Sequence, residues 1–195
     1  MPTKLLLVPL LITLAIPAFA NPFVIKEIDI DSKIEKLHNQ FLEMGGECKF
    51  DAGKTPHGQA SLECQMTTCK DNSHTEYRHS KYGTLEVCEA YSDDSPLTIA
   101  GQIIVSVEAY RKKFATGVHL IRLHYADNAS RLKIVEAFDK SFGEHGTMRV
   151  DSIRGTLEIE VWKRGGYRLL AGKWPSDYIE ISADRESLDP ALDDI

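Results

Sequence analysis

VHLIRLHYA (118–126), NASRLKIVEAFDKSFGEHG (128–146), TMRVD (147–151), GTLEIEVWK (155–163), YRLLAGKW (167–174) and DYIEISAD (177–184) follow one another in the second half of the chain. They predict one strand, one amphipathic helix and a set of short strands separated by tight turns. In the helical segment Leu132, Val135, Phe138 and Phe142 recur at helical spacing with Ile134 beside them, and Arg131, Lys133, Glu136, Asp139 and Lys140 fall on the other side. Asp127, Asn128 or Ser130 can accept the free N–H groups of its first turn, and Gly143 and Gly146 supply a left-handed ending. One apolar helix face needs a cover, and the flanking strands supply it. VHLIRLHYA carries apolar residues on both faces, as a central strand does, with His119 and His124 on opposite faces. GTLEIEVWK alternates, with Leu157, Ile159 and Val161 one way and Glu158, Glu160 and Trp162 the other. Gly165-Gly166 then reads as a hairpin turn.

Upstream, Ser32-Lys33-Ile34-Glu35 has the spacing of a capping box, and Ile34, Leu37, Phe41 and Met44 follow at helical intervals up to Gly45-Gly46. PFVIKEIDID before it reads as an edge strand or an extended lead-in. ECKFD (47–51) and QASLECQM (59–66) read as a hairpin turning around Pro56. Helix, short strand, turn and longer strand therefore occur in the same order twice, which suggests an internal duplication. Between 96 and 115 a helical spacing competes with alternation. The β-branched run Ile103-Ile104-Val105 with Val107 favours a long strand that turns at Ala115-Thr116-Gly117. The fold class expected is α+β, a mainly antiparallel sheet packed by two amphipathic helices.

The first twenty residues, MPTKLLLVPLLITLAIPAFA, combine Lys4, an apolar run from Leu5 to Ile16 and the small-x-small site Ala18-Phe19-Ala20, the pattern of a secretory signal peptide. Residues 21–186 are then one disulfide-braced domain and 187–195 an acidic flexible tail. The location expected is periplasmic or secreted. No later run approaches the ~20 apolar residues that span a bilayer. The net charge of −6 argues against nucleic acid as a partner, which needs clustered Lys and Arg.

All four cysteines lie between residues 48 and 88. An even number in an exported chain means disulfides before metal, and no Cys-x-x-Cys is present. If ECKFD and QASLECQM form a hairpin, Cys48 and Cys64 come opposite each other, which leaves Cys69 to pair with Cys88.

The chain carries no nucleophile elbow, no His-Glu-x-x-His, no phosphate loop and no dinucleotide fingerprint, so no cofactor and no catalytic residue is expected. Residues 67–83, TTCKDNSHTEYRHSKYG, hold almost no aliphatic residue and read as a long polar loop stapled at Cys69. Tyr77, Arg78, His79 and Tyr82 are of the types enriched at interfaces and are the candidate binding residues. The function expected is an exported non-catalytic protein that binds a protein partner through this loop and the sheet surface. The alternative is an exported metal-dependent hydrolase or metal-binding protein, with His74, Glu76 and His79 as ligands.

Overall fold

The computed structural model describes residues 23–53, 59–70, 74–80, 83–88, 91–92, 95–113, 115–126, 130–152, 155–173 and 177–183, with the backbone alone between His74 and Val87. Two helices, α1 (Ile34–Glu43) and α2 (Arg131–Phe142), each lead into strands. α1 is followed by β1 (Glu47–Asp51), β2 (Ala60–Gln65), β3 (His74–Ser80), β4 (Gly83–Cys88), β5 (Thr98–Ile99), β6 (Gln102–Arg111) and β7 (Leu120–Tyr125). After α2 come β8 (Gly146–Ser152), β9 (Gly155–Arg164), β10 (Tyr167–Lys173) and β11 (Asp177–Ala183). The main sheet is antiparallel throughout, in the order β1-β2-β6-β7-β11-β10-β9-β8, with β5 paired to the end of β6. β3 and β4 form a two-stranded sheet of their own.

The order is a mirror about the β7–β11 seam. Outward on one side lie β7, β6, β2 and β1, and outward on the other β11, β10, β9 and β8. Each half begins with its helix, and the first half carries β3 to β5 as an insertion between β2 and β6.

One face of this sheet holds the core. Leu62, Cys64, Val107, Ala109, Ile121, Leu123, Ile179, Ile181, Leu169, Ala171 and Trp162 are buried there against Ile34, Leu37 and Phe41 of α1 and Ile134, Val135 and Phe138 of α2. Each large aliphatic side chain so buried is worth about 1.5–3 kcal/mol over leaving it in water. The segment before α1 is a plug rather than a strand. Phe23, Ile25, Ile28 and Ile30 all enter the core, and Ile25 and Ile28 close a tight turn at Lys26-Glu27, both at positive φ (50° and 66°).

α2 is pinned at both ends. Ser130 caps it by accepting from the Lys133 N–H at 3.4 Å, and Arg131 donates to Glu160 and to the Ala171 carbonyl. At the other end Trp162 Nε1 donates to the Gly143 carbonyl at 2.9 Å, and Asp139 is bonded to His145 Nδ1, also at 2.9 Å. These ties set the rotation of the helix and correct its expected face. Ile134, Val135 and Phe138 are buried, whereas Leu132 stands 73% exposed. The capping box expected at Ser32 does not form. Lys33 is the N-cap, without a side-chain bond, and Ser32 is instead buried, donating its N–H to the Asp29 carbonyl.

Both disulfides expected from the sequence are present. Cys48 faces Cys64 in the β1–β2 register, and Cys69 joins Cys88 at the base of the β3–β4 hairpin. Residues 102–111 are a strand. GTLEIEVWK alternates as expected, but both of its faces are used. Trp162 enters the main core, while Ile159 and Val161 form a small cluster with Leu170 and Met148 on the opposite face.

Candidate functional site

The face of the sheet opposite the helices carries charge at its centre. Antiparallel register lays one row across five strands: Lys49 (β1), Glu63 (β2), Glu108 (β6), Arg122 (β7) and Glu180 (β11). The row continues into Leu170 and Val161. A second row, Gln65, Ser106, His124, Tyr178 and Gly172, lies on one side, and Tyr110, Leu120, Ser182 and Arg168 lie on the other. These residues share the face because alternate residues of a strand point the same way and the core residues Val107, Ala109, Ile121 and Leu123 take the other parity. A bulge in β6, where the register against β7 shifts between Ile104 and Ser106, restores Ser106 and Glu108 to this face.

Glu108 is 7% exposed and Glu180 6% exposed, and buried carboxylates must be paired. Arg122 pairs them. Its Nη2 donates to Glu180 Oε2 at 2.7 Å, and its Nη1 lies 3.9 Å from Glu108 Oε2. Glu108 also meets His124 Nε2 at 3.6 Å and accepts from the Tyr110 hydroxyl at 3.3 Å. The Arg122 guanidinium stacks over the Tyr178 ring at 4.9 Å, and that ring lies over Gly172, where any Cβ would collide with it.

The electrostatics follow from these contacts. Burial opposes ionisation of Glu108, but His124, Arg122 and the Tyr110 hydroxyl outweigh it and hold the carboxyl below its usual range. Burial and then Glu108 push the Tyr110 phenol far up, so it stays a donor. Arg122 is held protonated by Glu180 and Glu108 against its own burial. Glu63 moves the other way, raised by burial and by Glu108 directly opposite. Ser106 Oγ and Ser182 Oγ are buried on the same face without a hydrogen-bond partner among the described residues.

The sequence-predicted site lies elsewhere. His74, Glu76, Tyr77, Arg78 and His79 are on β3, a paired strand rather than the loop expected. A polar composition hid the strand because its partner, Thr84 to Cys88, supplies the aliphatic residues, and backbone pairing needs no apolar side chain. Tyr82 lies outside the described residues. His74 opposes Cys88 and His79 opposes Thr84, with a bulge between His74 and Glu76. Among the described residues no group of three His, Cys, Asp or Glu side chains is disposed to hold a metal ion. No helix among them is long and apolar enough to cross a membrane.

Sequence reasoning missed Glu108, Arg122, His124 and Glu180. The available signal was a charge flanked by apolar residues in mid-strand, in VEA, IRL and IEI, three times over. Nothing short of the register shows that the three meet. Compared with protein-family models, with curated proteins and with solved structures, the chain matches none.

Proposed function

We propose that the chain is an exported, non-catalytic protein that binds a protein partner through the β3–β4 hairpin and the helix-free sheet face. The observation that carries this reading is the hairpin itself. It is a separate two-stranded sheet, unpaired with the main one, yet tethered by the Cys69–Cys88 disulfide and by the bridge between Cys69 and Tyr91. A braced segment that adds nothing to the main ladder is suited to an interface. Two disulfides and no free cysteine among the described residues fit an oxidising compartment, periplasmic or extracellular. In this reading residues 1–20 are a signal peptide, residues 21–186 one domain, and the mirrored halves the product of duplication.

The test replaces Tyr77, Arg78 and His79 together by alanine. Crosslinking capture from the native compartment is expected to enrich one protein with the parent chain and to lose at least tenfold of it with the variant, at an unchanged melting temperature. A large drop in melting temperature with unchanged capture per folded molecule would assign the three residues to structure. Stoichiometric zinc or copper in the purified protein would move the assignment to the metal-dependent alternative.

A further inference from the structure

We propose that the Glu63–Glu108 pair on the helix-free face is a seat for one organic cation, the ammonium or guanidinium of a lysine or arginine side chain carried by the protein partner. The inference rests on the binding reading above and adds the chemistry that the face selects.

The argument is one of charge count and placement. Along the central row Lys49 and Arg122 stand against Glu63, Glu108 and Glu180, and His124 of the next row lies against Glu108, so Glu63 is the carboxylate left without a close cation. The lack is local. Arg122 is committed to Glu180 at 2.7 Å, and Glu108 is met by Arg122, His124 and Tyr110. Glu63 is only partly buried and has no hydrogen-bond or ion-pair partner among the described residues. Lys49, its neighbour on the edge strand, and His124 act on it only through space, without an ion pair. Like charges directly opposite on adjacent strands are destabilising, and sheets avoid them unless something stands between.

A second observation points to a ligand. Ser106, two residues before Glu108 on the same face and 2% exposed, has a hydroxyl with no hydrogen-bond partner among the described residues. An unmet buried hydroxyl has a cost that an incoming polar group removes. Carboxylate oxygens from two strands, with a hydroxyl beside them, are the acceptors an ammonium or guanidinium needs. The apolar cluster of Ile159, Val161, Leu170 and Met148, farther along the same face, suits the aliphatic neighbours of such a side chain.

The deciding experiment is an amide NMR titration of the disulfide-bonded mature chain with blocked Gly-Arg-Gly and Gly-Lys-Gly peptides, at constant ionic strength. Saturable shifts are expected at Glu63, Glu108 and Arg122, absent with the citrulline peptide, which keeps the shape and loses the charge. E63Q is expected to weaken binding at least tenfold, E63D less, and E158Q, an exposed carboxylate paired with Arg149, not at all. Shifts that fail to saturate, that sodium chloride reproduces, or that persist in a folded E63Q chain would overturn the seat. The titration needs no partner, so its failure leaves the capture experiment standing, and failure of the capture leaves the titration standing.

Discussion

A Cβ at position 172 would stand 2.3 Å from Tyr178 Cζ, a separation that no real side chain tolerates. Gly172→Ala is therefore expected to swing the ring off its place, remove the stack under Arg122 and cost about 1–3 kcal/mol, the usual range for overpacking. Thermal unfolding reads the loss. In a Tyr178→Ala background the same substitution is expected to cost almost nothing, and an undiminished cost there would place the strain elsewhere. Arg122 is the more severe position. Arg122→Met leaves Glu180 and Glu108 without their cation and is expected to cost about 3–5 kcal/mol, as breaking a buried pair does. Adding Glu180→Met should return a large part of it, because the charge left stranded is then gone too. Glu63 is expected to behave in the opposite sense. Its carboxyl is raised in the fold, so its contribution is complete in acid and is lost as pH rises through the folded value. E63Q should thus stabilise the protein at pH 7 by about 0.5 kcal/mol, the scale of a like-charge cross-strand pair, and not at pH 4.

At the scale of elements, β1 is an edge strand held by one partner strand, one helix and one disulfide. Replacing both Cys48 and Cys64 by alanine releases a 16-residue separation and is expected to cost about 3 kcal/mol in denaturant unfolding. The pairing was readable in advance because Cys48 and Cys64 sit in alternating strands that follow each other closely in sequence and pair as neighbours. The Gly165-Gly166 hairpin was readable for the same reason, local turn chemistry, and both glycines do take positive φ. The phase of α2 was not. Its apolar residues Leu132, Ile134, Val135 and Phe138 spread over an arc of about 160°, wider than the stripe that is buried, and the choice among them is made by Arg131 reaching Glu160, some thirty positions away. The charged row was hidden likewise, since each strand taken singly shows only a few polar residues that any solvated sheet face would carry. Both failures have one origin, contacts that are long-range in sequence and have no local signature.

For the molecule as a whole, the β7–β11 seam runs through the core, with Leu123 opposite Ile179 and Ile121 opposite Ile181, all without solvent exposure. Unfolding is expected to be one calorimetric transition, with equal calorimetric and van't Hoff enthalpies; two resolved transitions would mean the halves are separate cooperative units. Acid should weaken the whole through His119. Burial lowers its pKa in the fold from the ordinary 6.5, so stability is intact above that value and is lost as pH falls toward the folded one. His119→Gln is expected to flatten the stability profile between about pH 7 and 5. β11 lies at the middle of the sheet, yet it is the last strand along the described chain. A chain made from its N-terminus therefore holds both halves with open strands until residue 183 has left the ribosome. The seam can close only after β11 is made, and a ribosome that stops short of Asp177 releases two sticky edges, those of β7 and β10, in its place.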